Sequence, residues 1–103
     1  MSLKKQLLKS KPVCKVTFRF PKGIADHAGT VALAGDFNNW DVSACEMTRS
    51  KTGEFTAMLN LEKGRTYEFR YLVDGKEWYN DPQADYYVAN GYGEENGVFI
   101  AEA

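Results

Sequence analysis

Histidine and cysteine are scarce in this chain of 103 residues, which holds one histidine and two cysteines. His27 and the widely spaced Cys14 and Cys45 are too few for a usual zinc site, and two cysteines cannot form a disulfide framework. Both cysteines are therefore expected to be buried free thiols, with no metal and no cofactor. A Cys14–His27 nucleophile pair is disfavoured, because a cysteine buried in a strand is usually inert.

The chain also lacks a long apolar run and an excess of charge of either sign. Thirteen basic and fourteen acidic side chains give a formal net charge of −1, which creates no field to attract a polyanion or an anionic membrane. No segment has the apolar length of a signal peptide or a membrane-spanning helix. We therefore expect a cytoplasmic protein that binds neither nucleic acid nor membrane.

What the chain has instead is a series of short strand patterns. Apolar residues alternate with polar ones from Val13 to Phe20 and again from Arg65 to Asp74, the period of a half-buried strand. Asp74-Gly75 is the favoured pair for a tight hairpin turn. Strands are predicted over residues 13–20, 30–35, 54–60, 65–74, 76–79 and 97–101. Short strands separated by turn signals predict an all-β fold, an antiparallel β-sandwich of about seven strands.

The domain organisation that follows is a tail and one module. Residues 1–12 are predicted to be an N-terminal tail, with one or two helical turns over residues 3–11 as the alternative, because Leu3, Leu7 and Leu8 would share one side of a helix. Residues 13–103 are predicted to form the single β-sandwich module.

Two tryptophans stand among polar neighbours. Trp40 ends the turn Asp36-Phe37-Asn38-Asn39, and Trp78 follows the Asp74-Gly75 hairpin. Each indole could cover an end of the core and donate its N–H to a backbone carbonyl. Alternatively, each could be a platform for the apolar face of a sugar ring, with neighbouring amides and charges replacing the water on its hydroxyls. Phe37 is expected to be core, and the two asparagines to adopt tight or positive-φ conformations.

Three segments carry a family resemblance: VALAGDFNNWD, GEFTAMLNLEKGRTYEFRYLVDGKEWYNDPQAD and ENGVFI. Together they resemble the glycogen-binding module of the AMP-activated kinase β subunit. They are also similar to the N-terminal module of isoamylases and branching enzymes, which is carbohydrate-binding module family 48. The resemblance covers residues 13 to 101. It implies an immunoglobulin-like, early-set sandwich that binds α-1,4-linked glucan on one face.

The resemblance also implies particular site residues. Trp40 and Trp78 match the tryptophans that stack on the sugar, Arg70 matches a basic residue on the neighbouring strand, and Asn96 matches an asparagine before the last strand. By strand alternation Arg70 falls on the polar side, so it is expected to be exposed. Where the kinase-type module has a leucine that passes through the glucan ring, Tyr92 is expected to replace that contact, and Glu94 to supply a hydroxyl contact.

The predicted function is non-catalytic binding of α-1,4-glucan, as glycogen, starch or maltooligosaccharide, on a shallow aromatic face. The alternative is a protein-interaction or regulatory module with a residual sugar site, and a glycogen-metabolism protein is a further candidate partner. An enzyme is not favoured. Asp36 with Asp41, or Glu94 with Glu95, could supply the two carboxyls of glycoside hydrolysis, but a sandwich of this size offers a surface and not a closed cleft. Asp36 is expected to be a turn acceptor.

Overall fold

Nine antiparallel strands in two facing sheets form the part of the chain that the computed structural model describes, which is residues 3–7, 12–21, 23, 28–51, 53–91 and 93–101. This arrangement confirms the predicted all-β sandwich and corrects the expected number of about seven strands. The strands are β1 Leu3–Leu7, β2 Val13–Arg19, β3 Val31–Gly35, β4 Thr48–Arg49, β5 Phe55–Glu62, β6 Thr66–Val73, β7 Glu77–Tyr79, β8 Tyr86–Ala89 and β9 Glu95–Ile100.

The first sheet has the order β1-β2-β5-β4. Its centre is the pair β2 and β5, in which Val16 lies opposite Leu59 and Phe18 opposite Ala57. The alternation seen in the sequence has its cause here, because Cys14, Val16 and Phe18 are fully buried against the second sheet while the residues between them are partly exposed.

Strand β1 replaces the predicted tail or helical turns. Its backbone pairs with the edge of β2 that does not face β5, with Lys5 opposite Val16. The Lys5 Nζ atom lies 2.6 Å from Oδ2 of Asp85, just before β8 in the other sheet. A segment this short is a marginal helix when isolated, and here a neighbouring strand supplies all of its pairing. Leu8, which the helical alternative placed on one side with Leu3 and Leu7, lies outside the described residues.

The second sheet has the order β3-β6-β9-β8, and β7 also pairs with β6. Strand β3 covers one edge of β6 at residues 69–73. The opposite edge is shared: β9 pairs with residues 66–69 and β7 with residues 71–73. The Asn80 side chain joins these two strands, because its Nδ2 donates to the Glu95 carbonyl at 2.8 Å and its Oδ1 accepts from the Gly97 N–H at 3.2 Å. Trp78 and Asn96 are therefore brought to the same edge of β6.

Aromatic rings fill the space between the sheets. Phe18, Phe69 and Phe99 are fully buried, and their ring centroids lie 5.3 to 5.5 Å apart in edge-on arrangements. Tyr71 is also fully buried, and its hydroxyl donates to Oδ2 of Asp81 at 2.8 Å. Burial, together with the charge of Asp81 and this hydrogen bond, raises the pKa of Tyr71 well above its ordinary value.

The two cysteines differ. Cys14 is fully buried as expected, whereas Cys45 is only partly buried, and both are free thiols. Desolvation raises the pKa of the Cys45 thiol, so this side chain is a poor nucleophile. No helix among the described residues is long and apolar enough to cross a membrane.

Candidate functional site: a cleft on the outer face of the second sheet

The tryptophan turn begins where β3 meets β6. An added Cβ at Gly35 would lie 2.4 Å from the Glu68 carbonyl oxygen and 2.8 Å from the Phe37 ring, so only glycine fits this crossing. A 3-10 turn, Asp36–Asn38, follows. Within it the Asn38 side chain accepts from the Gly35 N–H at 3.1 Å and donates to the Leu33 carbonyl at 3.0 Å. These bonds close the turn tightly against the end of the strand.

The backbone then takes an uncommon conformation at two consecutive residues. Asn39 and Trp40 have φ values of 56° and 58°, in the left-handed region. Asparagine tolerates this conformation, but for a bulky residue it is strained and persists only when the surroundings hold it in place. The Trp40 N–H donates to the Gly35 carbonyl at 2.9 Å. As expected, Phe37 packs on the core, with its centroid 5.8 Å from that of Phe18.

Asp36 connects the Trp40 ring to the sheet. Its Oδ1 accepts from the Trp40 indole Nε1 at 3.1 Å, and its Oδ2 accepts from the Glu68 N–H of β6 at 2.9 Å. The role of Asp36 as a turn acceptor is thereby confirmed. The indole partner is a carboxylate, not the backbone carbonyl considered from the sequence, because Asp36 stands four residues earlier within the same turn.

Trp78 reaches the same place from the hairpin. Strand β7 pairs with β6 so that Trp78 lies opposite Leu72, and 39% of the Trp78 residue is exposed. The centroids of the Trp40 and Trp78 rings are 6.5 Å apart, and their planes are inclined by 61°. Two indoles from distant parts of the chain thus form adjacent walls of one surface feature.

Arg70 lies beside the Trp78 wall and is buried, which corrects the expectation that it would be exposed. Alternation does place it on the outer face of β6, but only 9% of the residue is accessible. Its guanidinium carbon is 5.7 Å from the Trp78 ring centroid, and its Nη1 lies 3.0 Å from Oε1 of Glu94. The Nε atom is buried with no hydrogen-bond partner. Trp78 and Glu94 cover the Arg70 side chain on the outer face of β6. A period-2 sequence pattern indicates the face on which a residue lies, but not whether other side chains cover it there.

Amide groups form the remaining side of the cleft. Asn96 is 8% exposed, and its Nδ2 donates to Oε1 of Glu68 at 3.1 Å. The Asn90 side chain donates to Oδ1 of Asn96 at 3.3 Å, and its own Oδ1 lies 3.4 Å from the Glu94 backbone N–H. These bonds link the turn between β8 and β9 to the centre of the sheet.

Six of the residues described above line one open cleft of about 570 Å³: Trp40, Arg70, Trp78, Asn90, Glu94 and Asn96. Five of the six are residues singled out from the sequence. Tyr92, the sixth predicted site residue, lies outside the described residues. Asn90 was missed, although its position in a Tyr, Asn and Gly-rich loop next to two predicted site residues was a usable signal.

The cleft offers two aromatic faces, one guanidinium, one carboxylate and two amides. Such a set can cover an apolar ring face while exchanging hydrogen bonds with hydroxyl groups around it. No group of three His, Cys, Asp or Glu side chains in the described part of the chain is placed to hold a metal ion.

A β-sandwich with aromatic walls and polar groups in an open surface cleft is the form of a carbohydrate-binding module. Residues 14–100 match the family model described as the glycogen recognition site of AMP-activated protein kinase, and the chain belongs to this family. The resemblance stated from the sequence is thus confirmed, and it supports carbohydrate binding as the general function.

One curated relative is the 1,4-alpha-glucan branching enzyme GlgB of Butyrivibrio fibrisolvens. It is 39% identical over 66 residues, which cover 60% of this chain and 10% of the enzyme. The chain therefore spans about a tenth of the length of this relative.

Proposed function

We propose that the cleft binds α-1,4-linked glucan, as glycogen, starch or a maltooligosaccharide, without catalysing a reaction on it. The observation that carries the proposal is the convergence of Trp40, Trp78, Arg70 and Asn96 in one open cleft. They come from four separate elements, and no single strand or turn would bring them together.

The tryptophans would provide the stacking surfaces. Removing roughly 100 Å² of apolar area from water contributes about 2.5 kcal/mol per ring, before ordering costs are subtracted. Two such rings inclined by 61° fit the curved surface of an α-linked chain better than a flat ribbon. After the ordering costs, an affinity between roughly micromolar and millimolar is expected.

The polar groups would recognise hydroxyls. Arg70 and the amide of Asn96 donate, whereas Glu94, with a side chain that is 55% exposed, accepts. Asn90 adds an amide next to Asn96. Asn96 donates to Glu68 and accepts from Asn90. The Arg70 guanidinium is held by its hydrogen bond to Glu94 and lies beside the Trp78 ring. Little ordering of either side chain therefore remains to be done when the ligand binds.

The geometry argues against hydrolysis at this cleft. Glycoside hydrolysis uses two carboxyl groups, one of them a proton donor. Glu94 is the one carboxylate among the described lining residues, and it is paired with Arg70. Asp36, another of the candidate acids, already accepts two hydrogen bonds. The module would instead hold a glucan close to a glucan-active protein, a role suggested by its similarity to part of a branching enzyme.

Tryptophan fluorescence titrated with maltoheptaose tests the proposal, with cellohexaose as the linkage control. We expect a saturable change with the α-linked sugar alone, and at least a tenfold weaker affinity in Trp40→Ala and in Trp78→Ala, each leaving the other indole as reporter. Far-UV circular dichroism establishes that both variants are folded. If millimolar maltoheptaose produces no change in the wild type, the glucan proposal fails and a protein-docking role of the same face takes its place.

A further inference from the structure

Three hydrogen-bond donors of the cleft are each held by a carboxylate. The Trp40 indole N–H is bound by Asp36 at 3.1 Å, the Asn96 amide by Glu68 at 3.1 Å, and the Arg70 guanidinium by Glu94 at 3.0 Å. This network contains one guanidinium and three carboxylates. Negative charge therefore exceeds positive charge within this network, although the chain as a whole is almost neutral.

The single cation of this network is already paired with an acidic side chain. Arg70 is 9% exposed, its Nη1 faces Glu94, the Trp78 ring lies 5.7 Å from its guanidinium carbon, and its Nε atom is buried. A site built for phosphate presents arginine in an open, two-pronged arrangement. Here the guanidinium is already neutralised at the ligand face by an acidic side chain.

We infer that the cleft is selective for uncharged glucan and rejects glucan that carries phosphate, and that Glu94 determines this selectivity. The inference rests on the proposed function. A phosphate monoester carries a charge of about −1.5 to −2. When bound, it would stand beside the Glu94 carboxylate in a partly desolvated cleft, where repulsion is stronger than in water. A neutral hydroxyl, in contrast, can donate to Glu94 and accept from Arg70 at the same time.

A cyclic α-1,4-glucan provides a probe in which every unit carries the same substituent, so that no binding register avoids the charge. We compare β-cyclodextrin derivatives that bear methoxy, phosphate or amino groups at every 6-position, using isothermal titration calorimetry on the full chain. For the wild type we expect the phosphate derivative to bind at least tenfold more weakly than the neutral methoxy derivative, and the amino derivative at least as tightly. The difference should narrow at high salt, because screening weakens repulsion.

Glu94→Gln removes the charge while keeping the shape and one acceptor oxygen. In this variant we expect the ratio of the phosphate to the methoxy dissociation constants to fall at least threefold. Glu95→Gln is the matched control, since it removes the same charge from the neighbouring exposed residue, which alternation directs to the opposite side of β9 from Asn96. It should keep the wild-type ratio.

The outcomes separate the two proposals. If the phosphate derivative binds the wild type as tightly as the methoxy derivative, or if the two glutamine variants behave alike, the selectivity inference is overturned while glucan binding stands. If none of the derivatives nor β-cyclodextrin itself binds the wild type, the proposed function fails, and the inference fails with it.

Discussion

The carboxylate of Asp36 holds the indole of Trp40 by a hydrogen bond of 3.1 Å, and its second oxygen binds the backbone of β6 at Glu68. One side chain thereby connects the tryptophan turn to the strand that carries Arg70. Because Trp40 itself has a strained positive φ of 58°, the ring orientation depends on such bonds and not on local backbone preference.

Asp36→Ala should weaken maltoheptaose binding although Asp36 does not line the cleft. Two hydrogen bonds are lost, each contributing about 1 kcal/mol, so we expect a loss of affinity of roughly five- to thirtyfold. Asp41→Ala is the control, since Asp41 binds the Ser43 N–H and hydroxyl within its own turn. Fluorescence titration measures both variants. If Asp36→Ala and the wild type bound maltoheptaose equally well, a role for Asp36 in holding the Trp40 ring would be contradicted.

Arg70→Met should weaken glucan binding without a comparable loss of stability. The buried Nε has no partner, and a desolvated donor of this kind costs about 1 to 3 kcal/mol. The ion pair between Arg70 and the half-exposed Glu94 contributes little to the free energy of unfolding. We therefore expect an unfolding free energy within about 1 kcal/mol of the wild type, or higher, in urea denaturation. Arg65→Met, at the exposed ion pair with Glu62, controls for removing a surface cation. A destabilisation of Arg70→Met well beyond that range would show that the arginine stabilises the fold.

Tyr71→Phe should destabilise the sandwich by about 1 to 3 kcal/mol, because the fully buried Asp81 loses the hydroxyl that donates to it at 2.8 Å. Tyr79→Phe provides a comparison in which the hydroxyl that is removed contacts Glu77 at 3.3 Å near the surface. We expect a change below about 0.5 kcal/mol there. Chemical denaturation of both variants measures the difference, and similar midpoints would refute the importance of the buried pair.

The Lys5–Asp85 ion pair should make stability sensitive to acid. Partial burial acts to raise the pKa of Asp85, but hydrogen bonds from Lys5 and from the Ile100 N–H outweigh it and lower the pKa below its ordinary value of 3.8. A lowered folded-state pKa stabilises the protein above the unfolded-state value, and this contribution is lost as the pH falls through the folded-state pKa.

Asp85→Asn should therefore be less stable than the wild type near pH 6, and the gap should close as the pH falls below about 4. Urea denaturation at several pH values measures this, and Lys5→Met tests whether the two side chains act as a pair. A gap that stays constant with pH would show that the carboxylate charge is not responsible.

Much of the fold was predictable because burial on one face imposes alternation. Strands β2 and β6 were predicted nearly to their ends from this pattern. Strands β1, β4 and β8 were not, since their residues lie in short or polar stretches that become strands only by pairing with a neighbour's backbone. The predicted tail became an edge strand for this reason.

The site shows the same division. Residue types, turn signals and the family resemblance were enough to select five residues of the cleft, because each of these features can be recognised within a short segment of the chain. The five are Trp40, Trp78, Arg70, Glu94 and Asn96. Their roles as ligand contacts stay predictions. Asn90 was missed because its hydrogen bond to Asn96 has no local signature in the sequence. Arg70 was expected to be exposed because the cover from Trp78 and Glu94 has none either.

The sequence by itself determined the sandwich class, the turn at residues 36–39 and the residue types of the cleft, since periodicity and turn preferences act over a few neighbouring residues. Only the tertiary structure decided that β7 and β9 share one edge of β6, that two indoles stand 6.5 Å apart, and that three carboxylates hold the donors of Trp40, Asn96 and Arg70. Those relationships join residues up to 38 positions apart, as from Trp40 to Trp78. They arise from chain packing, which no local pattern encodes.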